Sequence, residues 1–362
     1  MASKHPICDK TFPMPKGKSN AVYMTEHLLT PNRSVHACRW SRNMARYVIS
    51  SSVMTFSTNT TPSGQPGTEE SQKLQDSIVH ALKSGYRLLD TAQGYGVEKE
   101  VGAAIKASDV PREEITLVTK FWNDAHADPA EALERSLRDL DTYVDVFLMH
   151  WPNSSTEDGV YLSKDQSPTF VETWKKMEPL VGPKCRAIGV SNFSQTTLDE
   201  LLKHCTVTPS VNQVEMHALN PNTKLVPYCQ SKGIHVMSWS TLGGQPAEGK
   251  TNPILNDKYF TSLAENYGVS AGVLSLSWAV QRGATVIPKS ANYGRIEENI
   301  RLVELSKEDV EKMDSAGDEL GKLRLADGIS FGIREDPVKG TTLFGWTKQE
   351  FGWEDEKGNW LC

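Results

Sequence analysis

The stretch "RLLDTAQGYGVEKEVG" (residues 87–102) changes backbone habit partway through. It opens as a short apolar run that closes on Asp90. It then turns through Gly94 and Gly96 and continues as a helical pattern to Gly102. Strand, turn and helix in that order make one unit of a parallel α/β fold. The turn also carries an acid, Asp90, and a phenol, Tyr95. Any surface turn can carry those residue types, so their purpose depends on how the other strands end.

Seven further strand-like runs share the design. They are "SVMTFST" (52–58), "ITLVTK" (115–120), "DVFLMH" (145–150), "RAIGVSN" (186–192), "SVNQVEMH" (210–217), "IHVMSW" (234–239) and "ATVIPK" (284–289). The first is the weakest, being rich in Ser and Thr. Helical patterns fill the gaps. Residues 69–85 place Leu74, Ile78, Ala81 and Leu82 on one stripe, and Gly85 is a natural stop. Asp128 and Pro129 read as an N-cap and first helical residue, and Ser194 as a second cap. Eight βα units predict a (β/α)8 TIM barrel. A doubly wound sheet is the rival, but no G-x-G-x-x-G follows the first strand.

Composition narrows the field. The chain has 362 residues, 38% hydrophobic and 23% charged, as in an ordinary soluble globular protein. A net charge of −6 argues against a nucleic-acid binder. No apolar run approaches the roughly 18 residues of a membrane span. The six cysteines show no C-x-x-C spacing, so no metal site is expected and the thiols read as reduced and cytoplasmic. Residues 1–50 hold eight Lys or Arg against two acids and read as an irregular extension. A mitochondrial presequence is their lesser reading. The barrel is expected over 51–325. The aromatic, acidic tail 326–362 is either a candidate substrate lid over the barrel mouth or a packed or disordered extension.

In such barrels the site lies at the C-terminal strand ends. Here those ends read Asp90, Lys120, His150, Asn192, Gln213 and Glu215, Trp239, and Lys289. One charged residue at a strand exit is usually a solvated loop residue, and a His beside Trp is usually a packed side chain. Polar groups at several consecutive exits converge on one mouth. A free phenol has a pKa of about 10. An ammonium at about 4 Å, with an effective dielectric near 20, attracts the phenolate by roughly 4 kcal/mol before desolvation. Lys120 is therefore expected to lower the Tyr95 pKa, Asp90 to keep Lys120 charged, and His150 to orient a substrate oxygen. Together they make a general acid aimed at a carbonyl oxygen, and hydride must come from a cofactor.

The motifs "DTAQGYGVEKEVG", "LVTKFWN", "VFLMHWP", "AIGVSNFS" and "VIPKSANYGRIEEN" resemble, in order and spacing, those of the aldo-keto reductase superfamily. The monomeric aldose, xylose and glycerol-forming fungal reductases look most similar. The resemblance spans roughly residues 53–325. It implies a TIM barrel that binds NADPH without a Rossmann fold. It also implies Tyr95 as proton donor, Lys120 and Asp90 as its tuning pair, and His150 as the group orienting the carbonyl. Ser191, Asn192 and Gln213 match the side chains that hold the nicotinamide carboxamide. Trp239 stands where an aromatic ring stacks on the nicotinamide, and Ser240 and Leu242 where the pyrophosphate is contacted. Lys289, Ser290, Arg295, Glu298 and Asn299 match the adenosine-phosphate site, which favours NADPH over NADH. Lys, Ser and Arg around a strand-to-helix loop also suit a phosphate on physical grounds.

The chain departs from the family at "FSTNTT" (56–61), where Ser57 replaces a glycine of the pocket wall. No N-terminal hairpin plug is readable in residues 1–50. Trp122, Trp151 and His150 are expected to line an apolar substrate pocket. The resulting expectation is an NADPH-dependent oxidoreductase that reduces an aldehyde or ketone, acting as a monomer or weak dimer on a small molecule. The alternatives are an NADPH-binding regulatory protein with little turnover and a Schiff-base aldolase using Lys120.

Overall fold

A computed structural model describes residues 48–50, 68–244 and 249–361. Eight parallel strands form one sheet in strictly sequential order. They are β1 (Val48–Ser50), β2 (Leu88–Asp90), β3 (Thr116–Phe121), β4 (Val144–Met149), β5 (Cys185–Ser191), β6 (Val211–Glu215), β7 (His235–Trp239) and β8 (Thr285–Val286). Each neighbouring pair is parallel, as in Leu88 opposite Thr116 and Val118 opposite Val146. Helices connect the strands, so the chain is the (β/α)8 barrel that its alternating pattern predicts.

The first strand differs from expectation. The run 52–58 and the turn 56–61 lie outside the described residues, as does most of the extension. The strand that pairs with β2 is Val48–Ser50, with Ser50 opposite Asp90. It falls inside the stretch assigned to the extension. A three-residue "VIS" at the end of a basic segment gives almost no periodic signal.

Strand alternation sorts the core into two layers. Leu88, Val118, Val146, Leu148, Val211, Met237 and Ile287 pack together inside the barrel. Their neighbours Leu89, Leu117, Phe147, Met149, Ile188 and Val190 pack outward with the helices. This parity also fixes the site. Two residues beyond Leu88, Val118, Leu148, Val211, Met237 and Ile287 come Asp90, Lys120, His150, Gln213, Trp239 and Lys289. Polar side chains at the strand exits therefore continue the interior rows into the mouth.

The helices form for local reasons. Helix α1 (Glu69–Lys83) is capped by Thr68 and buries Ile78, Ala81 and Leu82, with Leu74 half-buried beside them. Helix α2 (Glu98–Ala107) follows the turn carrying Tyr95, in which Gly96 has φ +66°. A left-handed residue there ends the single 3₁₀ turn and frees the chain to start α2. Helix α3 (Pro129–Leu140) has Asp128 as its cap and Pro129 at the first position, as the sequence predicts. A Cβ on Gly102 would collide with the Leu140 carbonyl, so glycine lets α2 approach the end of α3. Helix α4 (Phe170–Met177) starts with a capping box between Thr169 and Glu172. Helix α5 (Gln195–His204) is capped by Ser194. Helix α6 (Leu225–Ser231) leads into β7, and α7 (Lys258–Glu265) is capped by Asp257. Helix α8 (Ala271–Gln281) is buried on nearly every side, and α9 (Tyr293–Asn299) and α10 (Lys307–Leu320) close the barrel portion.

The tail then runs back over the strand exits. It contains an antiparallel hairpin, β9 (Ile333–Asp336) with β10 (Gly340–Leu343). Among the described residues, no helix is long and apolar enough to cross a membrane.

Candidate active site

The Lys120 ammonium is the hub of the mouth. It is fully buried and donates to Asp90 Oδ2 at 2.8 Å and to the Thr91 carbonyl at 2.8 Å. Its third contact is the Tyr95 hydroxyl at 3.4 Å, and it also lies 4.9 Å from the Tyr95 ring centroid. The remaining carboxylate oxygen of Asp90 accepts from Gln213 Nε2 at 2.7 Å. His150 stands edge-on to Tyr95, with ring centroids 5.8 Å apart, and edge-on to Trp122 at 4.9 Å. Its Nδ1 is buried with no hydrogen-bond partner. Asp90, Tyr95, Lys120 and His150 thus meet at one point, although they come from three βα units.

The charges follow from burial and pairing. At Lys120, burial alone would lower the pKa, but Asp90 and Tyr95 outweigh it and the net direction is up. The lysine stays an ammonium. At His150, burial and then the Lys120 charge push the pKa well below the usual value, so the imidazole is neutral. Tyr95 corrects the sequence reading. Burial raises its pKa and outweighs the lowering effect of Lys120. The ammonium does pull the phenol down, as expected, but Tyr95 is enclosed by protein on most sides, and desolvating the phenolate costs more. The phenol stays protonated, the state a proton donor needs.

A second cluster adjoins the first. Asn192, in a left-handed conformation at φ +65°, donates from Nδ2 to the His150 carbonyl at 2.9 Å and to Ser191 Oγ at 3.2 Å. Ser191 Oγ donates to the Gln213 carbonyl at 2.8 Å. Trp239 Nε1 donates to Asn192 Oδ1 at 3.0 Å, and its indole is half-buried. Ser240 and Leu242 lie half-buried on the loop after β7. Lys289 and Ser290 leave β8, while Arg295, Glu298 and Asn299 ride on α9. Lys289 and Arg295 are exposed, and among the described residues neither has an ion-pair partner. Asn292, which the sequence reading passed over, caps α9 by accepting from Arg295 N at 3.0 Å.

The aromatic residues divide. Trp122 is half-buried and packs against Phe331 and Phe344 of the tail, with centroids 6.1 and 5.5 Å away. Trp151 is only 3% exposed and is enclosed by Phe344, Phe351 and Trp353. It forms the base of the tail's packing.

Sequence reasoning also left Glu215 without a role. Its carboxylate accepts the backbone N–H groups of Leu325 at 2.6 Å and Ala326 at 2.9 Å, and contacts His217 Nε2 at 3.0 Å. It pins the start of the tail to the exit of β6. Arg324, next to this pin, pairs with Glu354 at 2.9 Å and lies 4.1 Å from the Trp360 ring centroid. Strand parity placed Glu215 in the mouth, but no local signal named partners more than a hundred residues away.

Can these residues hold a nicotinamide dinucleotide? Amide and hydroxyl groups of Ser191, Asn192 and Gln213 offer donors and acceptors suited to a carboxamide. An indole face stands beside them at Trp239. Two unpaired cations and the Ser290 hydroxyl suit a phosphate. The donor set fits.

A barrel with this sequence order and this mouth defines a class of oxidoreductase, and comparison with known proteins agrees. The model of the aldo/keto reductase family matches residues 54–318. The chain belongs to that family. It is 41% identical over 269 residues to a glycerol 2-dehydrogenase (NADP(+)) of Saccharomyces cerevisiae, covering 69% of this chain and 84% of that one. An aldehyde reductase of the same yeast is 38% identical over 271 residues, covering 69% and 85%. Among solved structures, a Bombyx mori aldo-keto reductase in complex with NADP superposes with a TM-score of 0.66 at 32% identity, covering 74% and 88%.

Proposed function

We propose that this protein is an NADPH-dependent reductase that converts an aldehyde or ketone to an alcohol, with Tyr95 as proton donor. The observation that carries the reading is the buried Asp90–Lys120 pair with the Tyr95 hydroxyl on its open side. Relatives named as NADP-dependent and aldehyde-reducing enzymes support it.

The bound dinucleotide supplies the hydride that the side chains lack. Ser191, Asn192 and Gln213 would hold its carboxamide, Trp239 would offer its indole to the ring, and Lys289, Ser290 and Arg295 would take the adenosine phosphate. Glu298 and Asn299 on α9 would contact the adenosine, and Ser240 and Leu242 would border the pyrophosphate. The neutral His150 donates one N–H to the substrate oxygen and fixes its direction. As negative charge grows on that oxygen, Tyr95 O–H delivers its proton. Lys120 stabilises the phenolate left behind, and Asp90 keeps the buried Lys120 charged. Trp122 and Phe331 of the tail give the pocket an apolar wall, backed by the buried Phe344, so the tail serves as a lid suited to hydrophobic carbonyls.

The test is consumption of NADPH by the purified protein with a panel of sugars, aromatic aldehydes and ketones. Turnover is expected with at least one apolar aldehyde, and more slowly with NADH. Tight NADPH binding with no turnover across the panel would favour a regulatory binding protein instead.

A further inference from the structure

We propose that Glu98 is a positioning residue for the Tyr95 phenol, an inference that rests on the carbonyl-reductase reading above. Glu98 is the first residue of α2, three positions after Tyr95, and is only 5% exposed. A carboxyl group at that depth needs partners. Its Oε1 accepts from Thr119 Oγ1 at 2.6 Å. Thr119 is on the outward-facing row of β3, and Lys120, its neighbour, is on the inward row. One peptide of β3 therefore carries both the tether for Glu98 and the cation that Tyr95 must reach.

The other end of the turn is tied to the same place. Gln93 Nε2 donates to Ser136 Oγ at 2.9 Å and to the Ala132 carbonyl, both on α3. Ser136 is fully buried and close enough to the Glu98 carboxyl to pull its pKa down against the larger effect of burial. Gln93, Ser136, Glu98 and Thr119 thus form a chain of contacts behind the turn. The turn is clamped at both ends, at 93 and at 98, and Tyr95 sits between the clamps. The Tyr95 hydroxyl lies 3.4 Å from Lys120 Nζ, at the outer limit of a hydrogen bond. A small shift of the turn would break that contact. Burial pushes the Glu98 carboxyl up. Its role is then one of hydrogen bonding more than of charge, and the isosteric amide should replace it.

Glu100 provides the comparison. It lies on the same helix, is equally buried, and accepts from Ser71 Oγ of α1 at 2.9 Å. It anchors α2 away from β3 and away from the turn. If Glu98 only anchored the helix, the two carboxylates would be equivalent.

The experiment compares Glu98→Ala, Glu98→Gln, Thr119→Val, Glu100→Ala and Tyr95→Phe in the full chain. Misplacing a reacting group by about 1 Å costs on the order of a hundredfold, so Glu98→Ala should lower kcat by roughly 10- to 100-fold. Its Kd for NADPH should not change, and the solvent deuterium isotope effect on kcat should rise as proton transfer slows. Glu98→Gln should restore kcat. Thr119→Val removes the donor without touching Glu98, so it should show the same isotope signature; it decides the matter if Glu98→Ala does not fold. Glu100→Ala should keep its kcat. Equal losses in Glu98→Ala and Glu100→Ala, or wild-type kcat in both Glu98→Ala and Thr119→Val, would overturn the inference. Activity retained in Tyr95→Phe would instead overturn the reductase reading itself.

Discussion

Lys120 is the residue with most at stake. Its ammonium is fully buried and paired with an equally buried carboxylate. Removing one member of such a pair strands the other, at a cost of about 3–5 kcal/mol. Lys120→Met should therefore lower unfolding free energy by that amount as well as abolish turnover. The double variant Asp90→Asn, Lys120→Met strands no charge and should recover much of the stability but none of the activity. Urea unfolding of the three proteins checks this; a double variant no more stable than the single one would refute the account of the pair. These residues were legible in the sequence because strands alternate with period two, so polar residues at successive exits had to share one mouth. The protonation of Tyr95 was less legible. The sign of its shift depends on how dry the mouth is, which spacing does not report.

At the scale of elements, seven strands and the caps at Asp128 and Ser194 could be read locally, because periodicity and capping chemistry are local properties. The strand Val48–Ser50 could not, being too short to show a period. The tail could not either. Its order comes from contacts distant in sequence: Glu215 with Leu325 and Ala326, Asn153 with the Phe344 carbonyl, and Trp346 Nε1 with the Leu162 carbonyl at 3.0 Å. Glu215→Ala would leave two backbone N–H groups without acceptors, each costing about 1–3 kcal/mol when buried. Faster proteolytic cleavage near residues 321–332 is expected, with a raised KM for bulky apolar aldehydes and little change in NADPH affinity. An unchanged cleavage rate would show that the aromatic packing on Trp151 suffices to hold the tail.

At the scale of the molecule, the barrel gathers an ion pair, a neutral imidazole and a protonated phenol at one end of a closely packed core. Holding groups neutral ties stability to pH. Burial lowers the pKa of His126 to about 3 and of His235 to about 4. An unfolded histidine titrates near 6.5. Between those values the unfolded chain binds more protons than the folded one, so stability is full above pH 6.5 and falls as the pH drops toward 4. The urea midpoint should decline from about pH 6.5 to pH 5, where most carboxylates are still ionised, and His126→Gln should flatten that slope. An unaltered slope would mean that His126 is not held neutral.

The central claim is that the phenol of Tyr95 delivers the proton to a carbonyl whose hydride comes from NADPH. The direct measurement is NADPH oxidation by Tyr95→Phe beside the wild type, with NADPH binding measured in both. The account predicts equal NADPH affinity and a fall in kcat of about 10²–10⁴ or more, the range that positioned acid catalysis contributes. Turnover within a few-fold of wild type in Tyr95→Phe would contradict it.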